Sequence, residues 1–239
     1  MGRAYEVRKA SIAATGKMKS ALYMKASKEI YVAAKGGSAD PRENLALRAA
    51  IDKYKGQSIP KDVITRAIEK AQGVGASDYV GATYEGFGPG NSMFIVETLS
   101  DNPKRAFSEV RAVFSHKGGK IGNSGAVAYN FKRMGEIDFA GSDVDAITDT
   151  LIMGDIDVKE IKSPEDGVIS VIVTPDDFHK AEQVLHDSGI ADFLTDEITL
   201  IADQTLELTG EDAQKYKNFY DALNEIEDVQ NVYTNVTNC

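Results

Sequence analysis

The sequence predicts an α+β multidomain protein: an N-terminal helical domain, then two α+β domains, the last inserted in the middle one. Three observations carry this. Apolar residues recur at helical spacing through the first 75 residues. From Val80 the period changes to that of strands. From about Gly135 the elements run in the order βαββαβ, the ferredoxin-like split. The length of 239 residues agrees with two or three domains, and a hydrophobic content of 42% is enough for packed cores.

The elements follow in order. Between Lys17 and Lys35, Met18, Leu22, Ala26, Ile30 and Ala33 make a helical stripe that Gly36-Gly37 ends. The segment before Gly16 is read as a short helix. Asp40-Pro41-Arg42-Glu43 resembles a capping box opening a second helix with Leu47, Ile51 and Tyr54 inward. Pro60 opens a third, with Val63, Ile64, Ala67, Ile68 and Ala71 inward, and Gly73 to Ser77 reads as a linker. Strands are expected at Val80–Phe87 and Met93–Thr98 around the Gly86–Asn91 turn. A helix follows from Asp101-Asn102-Pro103 to Gly118-Gly119, burying Phe107, Val110 and Phe114, and then a strand at Ala126–Phe131. The ferredoxin-like part is read as strand Glu136–Ala140, helix Val144–Met153, strands Val158–Ser163 and Val168–Thr174, helix Pro175–Asp187 and a strand near Ile198–Ile201. A strand near Leu206–Leu208, a helix Asp212–Ile226 and a strand Val229–Tyr233 close the chain and supply the helix the middle region lacks. The domains are therefore residues 1–75, residues 76–134 with 205–239, and residues 135–204.

Charge divides the chain more sharply than composition does. The net charge is −10. Residues 1–75 hold 15 Lys/Arg and 7 Asp/Glu, net +8; residues 76–135 are net +2; residues 136–239 are net −20. The single cysteine, Cys239, excludes a disulfide scaffold and a Cys-rich zinc site. No signal peptide, myristoylation motif or long apolar stretch is visible, so the expected location is the cytoplasm.

Catalytic patterns are absent. Gly86, Gly88 and Gly90 alternate, but Asn91 stands where a dinucleotide fingerprint needs its third glycine, and a strand follows instead of a helix. A tight hairpin explains them better. Gly119-Lys120 fails the phosphate-loop pattern. His179 and His186 lie seven apart among Asp176, Asp177 and Asp187, which suits a solvated face better than a metal; His116 sits at a helix end, where a cation suits the dipole. No serine has a nucleophile elbow around it. The expectation is a non-enzyme with no metal, cofactor or small-molecule substrate.

The basic N-terminal region carries the functional expectation. The Lys17–Lys35 helix has five lysines and one acid, with Lys17, Lys28 and Lys35 on one side, opposite the apolar stripe. A one-signed field of this kind attracts phosphate backbones. The candidate nucleic-acid-binding residues are Arg3, Arg8, Lys9, Lys17, Lys19, Lys25, Lys28, Lys35, Arg42, Arg48 and Lys61. A second candidate is a partner-contact hairpin formed by Tyr84, Glu85, Phe87 and Pro89, for which a plain turn is the simpler reading.

Several stretches together resemble a known family. They include Arg8-Lys9-Ala10, Lys28-Glu29-Ile30, Asp40-Pro41 with Asn44, Leu47 and Arg48, and Pro60-Lys61-Asp62-Val63-Ile64. Tyr84-Glu85-Gly86-Phe87-Gly88-Pro89, Thr98 to Asn102, Val110-Arg111, Gly118-Gly119 and Gly122 to Phe131 continue the match. The chain resembles the YebC/PmpR family of probable transcriptional regulators, which includes the mitochondrial translational activator of cytochrome oxidase. The resemblance spans essentially the whole chain. It implies three domains, no known reaction and no obligatory cofactor. It also implies a DNA-binding regulator or, alternatively, a translation factor on the ribosome that binds ribosomal RNA and relieves stalling. The opening departs from the commoner family pattern, with Arg3-Ala4-Tyr5-Glu6 in place of a Ser-Lys-Trp element and no tryptophan in the chain. The expected partner is promoter DNA or the ribosome, with no membrane, and a monomer is favoured.

Overall fold

A computed structural model describes residues 3–54, 57–73, 78–163 and 167–238, with side chains from Lys19 onward. The chain forms two compact units: residues 1–127 with 206–239, and residues 128–205. The expected linker positions 74–77 lie outside the described residues.

The first unit begins with three helices. α1 (Arg3–Lys35) is one 33-residue helix, not a short helix followed by a longer one. Gly16 does not break it: a glycine costs about 1 kcal/mol in a helix, and Ala13, Ala14, Lys17 and Met18 around it are strong helix formers. α2 (Leu45–Asp52) starts later than the Asp40-Pro41 signal suggested. Asp40 instead accepts hydrogen bonds from the backbone and guanidinium of Arg42 and stabilises a turn. The true cap is Asn44, whose Oδ1 accepts from Leu47 N at 3.0 Å, while its Nδ2 donates to Ala33 O and Ser38 O. One buried side chain thus ends α1 and starts α2. α3 (Lys61–Gln72) follows Pro60. The three helices enclose Ala26, Ile30, Tyr31, Ala34, Leu47, Tyr54, Ala67 and Ala71.

The rest of the first unit is a four-stranded antiparallel sheet, in the order Lys120–Ile121, Val80–Phe87, Met93–Ser100 and Val229–Thr234, with two helices. β1 (Val80–Phe87) and β2 (Met93–Ser100) pair along their full length, Val80 opposite Ser100 and Phe87 opposite Met93. α4 (Pro103–His116) is capped by Asn102. β3 is only Lys120–Ile121. The expected strand at Ala126–Phe131 is instead a turn and a 3-10 segment at Ala128–Asn130. Its apolar residues serve the buried loop position Val127 and the start of the next sheet at Phe131. After the second unit, α7 (Gly210–Asn224) and β8 (Val229–Thr234) complete the sheet. The expected strand at Leu206–Leu208 is reduced to a single bridge, Leu206 to Val236. Phe94, Phe114 and Phe219 pack at the centre of this core, with ring centroids 4.8 Å apart for Phe94–Phe219 and 5.0 Å for Phe114–Phe219.

That packing explains the alternate glycines. A Cβ on Gly86 would lie 2.4 Å from the Phe114 ring, and one on Gly88 would lie 2.5 Å from Phe94. Gly90 adopts φ +66°, a region that favours glycine.

The second unit has β4 (Phe131–Ala140), α5 (Val144–Met153), β5 (Val158–Lys162), β6 (Val168–Val173), α6 (Phe178–Asp187) and β7 (Phe193–Ala202). Its antiparallel sheet has the order β5-β6-β4-β7, the ferredoxin-like arrangement. α6 starts three residues later than Pro175, and β7 is longer than the Ile198–Ile201 core that marked it. Ile137, Phe139, Leu151, Val171, Val173 and Leu185 fill the layer between sheet and helices.

Candidate nucleic-acid interface

The lysines of α1 whose side chains are described divide into two groups. Lys19 is exposed. Lys25 and Lys28, three apart and so on one helix face, turn toward β8. Lys25 Nζ donates to Gln230 O at 3.1 Å; burial pulls its pKa below the ordinary lysine value, partly offset by the Glu29 charge. Lys28 is 8% exposed. Its ammonium donates to Asp228 Oδ1 at 2.8 Å and to Glu227 O at 3.0 Å.

Asp228 is the centre of that cluster. Its carboxylate also accepts from Ser100 Oγ at 2.8 Å, and from Arg105 Nη2 at 2.8 Å and Nε at 3.2 Å. Burial alone would push this carboxyl up, but the hydrogen bonds from Lys28, Arg105 and Ser100 hold it below the usual aspartate range. The network ties α1 to the sheet through the residues that start α4 and β8. Lys28 is therefore an internal tie, not a phosphate contact in this conformation. The helical wheel misplaced it because α1 packs on two sides, against α2 and α3 and against the sheet.

The remaining candidates stand as follows. Lys35 Nζ pairs with Asp78 at 2.7 Å, an exposed bond that raises the lysine and lowers the aspartate pKa. Arg42 pairs with Asp40, whose carboxyl its hydrogen bonds pull down to about 2. Arg48 meets Asp52 one helical turn away at 3.7 Å. Lys61 is exposed at the start of α3. The side chains of Arg3, Arg8, Lys9 and Lys17 lie outside the described residues. An exposed pair such as Arg48–Asp52 is worth only about 0–1 kcal/mol, so Arg48 can exchange its carboxylate for phosphate at little cost, whereas Arg42 is held to Asp40 by several hydrogen bonds.

The hairpin residues are not a free tip. Glu85 and Pro89 are buried. Glu85 accepts from Gly125 N at 2.7 Å and Val127 N at 2.9 Å and so holds the loop after β3. Tyr84 packs on Phe107, centroids 5.6 Å apart, and Phe87 is half-buried. A cavity of about 260 Å³ between α1 and the sheet is lined by Glu29, Thr83, Glu97 and Gln230. Its carboxylates repel phosphate, and the side-chain amide of Gln230 is buried there without a hydrogen-bond partner. Among the described residues no group of three His, Cys, Asp or Glu is placed to hold a metal, and no helix is long and apolar enough to cross a membrane.

Comparison with known proteins matches this architecture throughout. Residues 3–74 match the TACO1/YebC protein N-terminal domain, and residues 79–236 match the TACO1/YebC second and third domain. A probable transcriptional regulatory protein of Marinomonas sp. (strain MWYL1) is 45% identical over 236 residues, covering 98% of this chain and 99% of that one. One from Hydrogenovibrio crunogenus is 44% identical, covering 99% of each chain. The crystal structure of a conserved hypothetical protein, Aq1575, from Aquifex aeolicus superposes with a TM-score of 0.77 at 30% identity, covering 92% of this chain and 91% of that one. With both domain matches and relatives of this identity along the full length, the chain belongs to the TACO1/YebC family.

Proposed function

We propose that the chain is a non-enzymatic, nucleic-acid-binding regulator of gene expression, acting in the cytoplasm, whose basic helical domain (residues 1–75) grips phosphates. The observation that carries this reading is the separation of charge. Lys19, Arg42, Arg48 and Lys61 stand exposed on the helical part, while residues 136–239 are net −20 and repel phosphate. The discontinuous domain of residues 76–134 and 205–239 then holds the basic helices, through the Asp228 network. The acidic ferredoxin-like domain, 135–204, carries charge of the sign that repels phosphate.

Two targets fit that scheme. The names of the relatives, probable transcriptional regulatory proteins, support promoter DNA. The surface of α3 supports a structured RNA such as that of the ribosome. Its exposed positions alternate in sign, Lys61, Asp62, Arg66, Glu69 and Lys70, and Arg66 pairs with Asp62. A helix of mixed sign is poorly suited to the major groove, whereas RNA is recognised largely by shape and backbone. The test is a competition titration of full-length protein with duplex DNA and with purified ribosomes at physiological salt, beside the variant Lys19→Glu/Arg48→Glu/Lys61→Glu. The reading expects binding to one of the two and a loss of at least about 100-fold in the variant, from three phosphate contacts turned repulsive. Unchanged binding by the variant contradicts it.

A further inference from the structure

α4 carries a second cationic surface that the reading of residues 1–75 does not include. From Pro103 to Ile121 there are five Lys/Arg and one Glu. Arg105 is held by Asp228 and Asp101. Lys104 and Arg111 are exposed and, among the described residues, have no ion-pair partner. At about 100° per residue, Lys104, Ser108, Arg111 and Ser115 fall within about 60° of one another, with the two cations about 10 Å apart along the axis.

The helix itself does not explain them. His116 and Lys117 stand at the C-terminal end, where the helix dipole favours a cation. Lys104 stands in the first turn, where the dipole opposes one, and no acid lies three or four residues from Arg111 to pair with it. Between the two cations an aromatic ring reaches the surface. Phe107 is 39% exposed, although its apolar character and helical spacing pointed to the core. Tyr84 of β1 supports it from below at 5.6 Å. Lys117 and Lys120, also exposed and without ion-pair partners among the described residues, extend the cationic line beyond the helix.

Cations on either side of an exposed, rigidly backed aromatic ring suit a strand whose phosphates and unstacked bases are both accessible. We propose that α4 binds single-stranded nucleic acid, with Lys104 and Arg111 on consecutive stretches of backbone and Phe107 stacking on a base. This rests on the nucleic-acid reading above and adds a contact surface to it. A duplex cannot use Phe107, because its bases are already stacked.

The experiment is fluorescence anisotropy of a labelled 12-nucleotide oligouridylate with the full-length protein, from 50 to 300 mM salt. Lys104→Ala/Arg111→Ala is expected to lower affinity at least 10-fold and to reduce the salt slope by about 1.4, since each phosphate contact on a single strand contributes about 0.7. Phe107→Leu keeps an apolar group on Tyr84 and is expected to lower affinity about 5-fold or more with the slope unchanged. A 20-base-pair duplex is expected to be insensitive to Phe107→Leu. If Lys19→Glu/Arg48→Glu/Lys61→Glu abolishes binding while both α4 variants bind as the parent does, the α4 surface is refuted and the wider reading stands. If the parent binds neither probe nor ribosomes, both are refuted.

Discussion

Asp228→Asn is the most informative single change, because it removes one charge and almost no volume. In the parent, the Asp228 carboxylate is 1% exposed and faces the Lys28 ammonium at 2.8 Å, itself 9% exposed. The amide can keep one acceptor for Ser100 or Arg105, but it leaves the buried Lys28 ammonium with only the Glu227 backbone oxygen at 3.0 Å and the exposed Glu227 carboxylate at 3.9 Å. Removing one partner of a buried ion pair costs about 3–5 kcal/mol. Arg105, 45% exposed, can turn to water, which places the expectation at the lower end, about 3 kcal/mol. For a chain of 239 residues each kcal/mol lowers Tm by about 2–4 °C, so a fall of about 6–12 °C is expected in the transition that reports the first unit. The chain has no tryptophan, so the assay is far-ultraviolet circular dichroism in urea and on heating. Lys28→Met/Asp228→Asn should recover about half the loss or more, since it removes the stranded charge. The pH dependence has a fixed sign. The folded pKa of Asp228 is depressed, so its contribution is complete above the unfolded value near 4 and fades as pH falls through the folded value. The deficit of the variant is therefore full at pH 7 and shrinks below about pH 4. A loss under 1 kcal/mol at pH 7, or one that does not shrink in acid, refutes the assignment of Asp228 as the charged centre joining α1 to the sheet.

Three further outcomes follow from local geometry. Glu136 lies opposite Glu197 on the neighbouring strand. Burial, then the charges of Asp138 and Glu197, push its pKa up to about 7. Its ionisation therefore destabilises the second unit as pH rises from about 4.5 to 7, and Glu136→Gln should stabilise at pH 8 by about 1–2 kcal/mol after allowance for solvent screening, with no gain at pH 4. Gly86→Ala places a methyl 2.6 Å from Lys120 O as well as against Phe114, and should cost about 1–3 kcal/mol in urea denaturation. Glu85→Gln keeps an oxygen for one of the Gly125 and Val127 N–H groups that the carboxylate now receives and sets an amide N–H against the other. Hydrogen exchange at those two amides should accelerate on loss of about 1–3 kcal/mol of local stability, while the β1–β2 amides stay protected.

Much of the architecture was legible from periodicity. The bounds of β1 and α5 follow from alternation and helical spacing between clear stops, Gly88-Pro89 for β1 and Gly154 for α5. The ferredoxin-like order was legible because its apolar runs are separated by clear breaks, Gly141-Ser142, Gly154-Asp155 and Ser188-Gly189 among them. What failed was local signal overruled by tertiary contact. Asp40-Pro41 reads as a helix start, yet Asn44 takes the cap because its amide can also bind the last carbonyls of α1. Ala126–Phe131 reads as a strand because Val127 and Phe131 are apolar, but they are buried in separate places. Lys28 reads as surface because a wheel shows one helix and not the carboxylate 200 residues away. No sequence signal marks Asp228 among its acidic neighbours. The α4 cations were visible at i and i+7, but averaging over residues 76–135 diluted them to net +2.

The proposed function rests on exposed cations of the helical part holding a phosphate backbone. The most direct measurement is the dependence of affinity on salt for the full-length protein with its preferred nucleic acid, parent beside Lys19→Glu/Arg48→Glu/Lys61→Glu. Log affinity is expected to fall linearly with log salt, at a slope near −0.9 for each duplex phosphate neutralised, and the slope is expected to be at least two units shallower in the variant. Binding that is insensitive to salt, or a variant with the parent's slope, would contradict it.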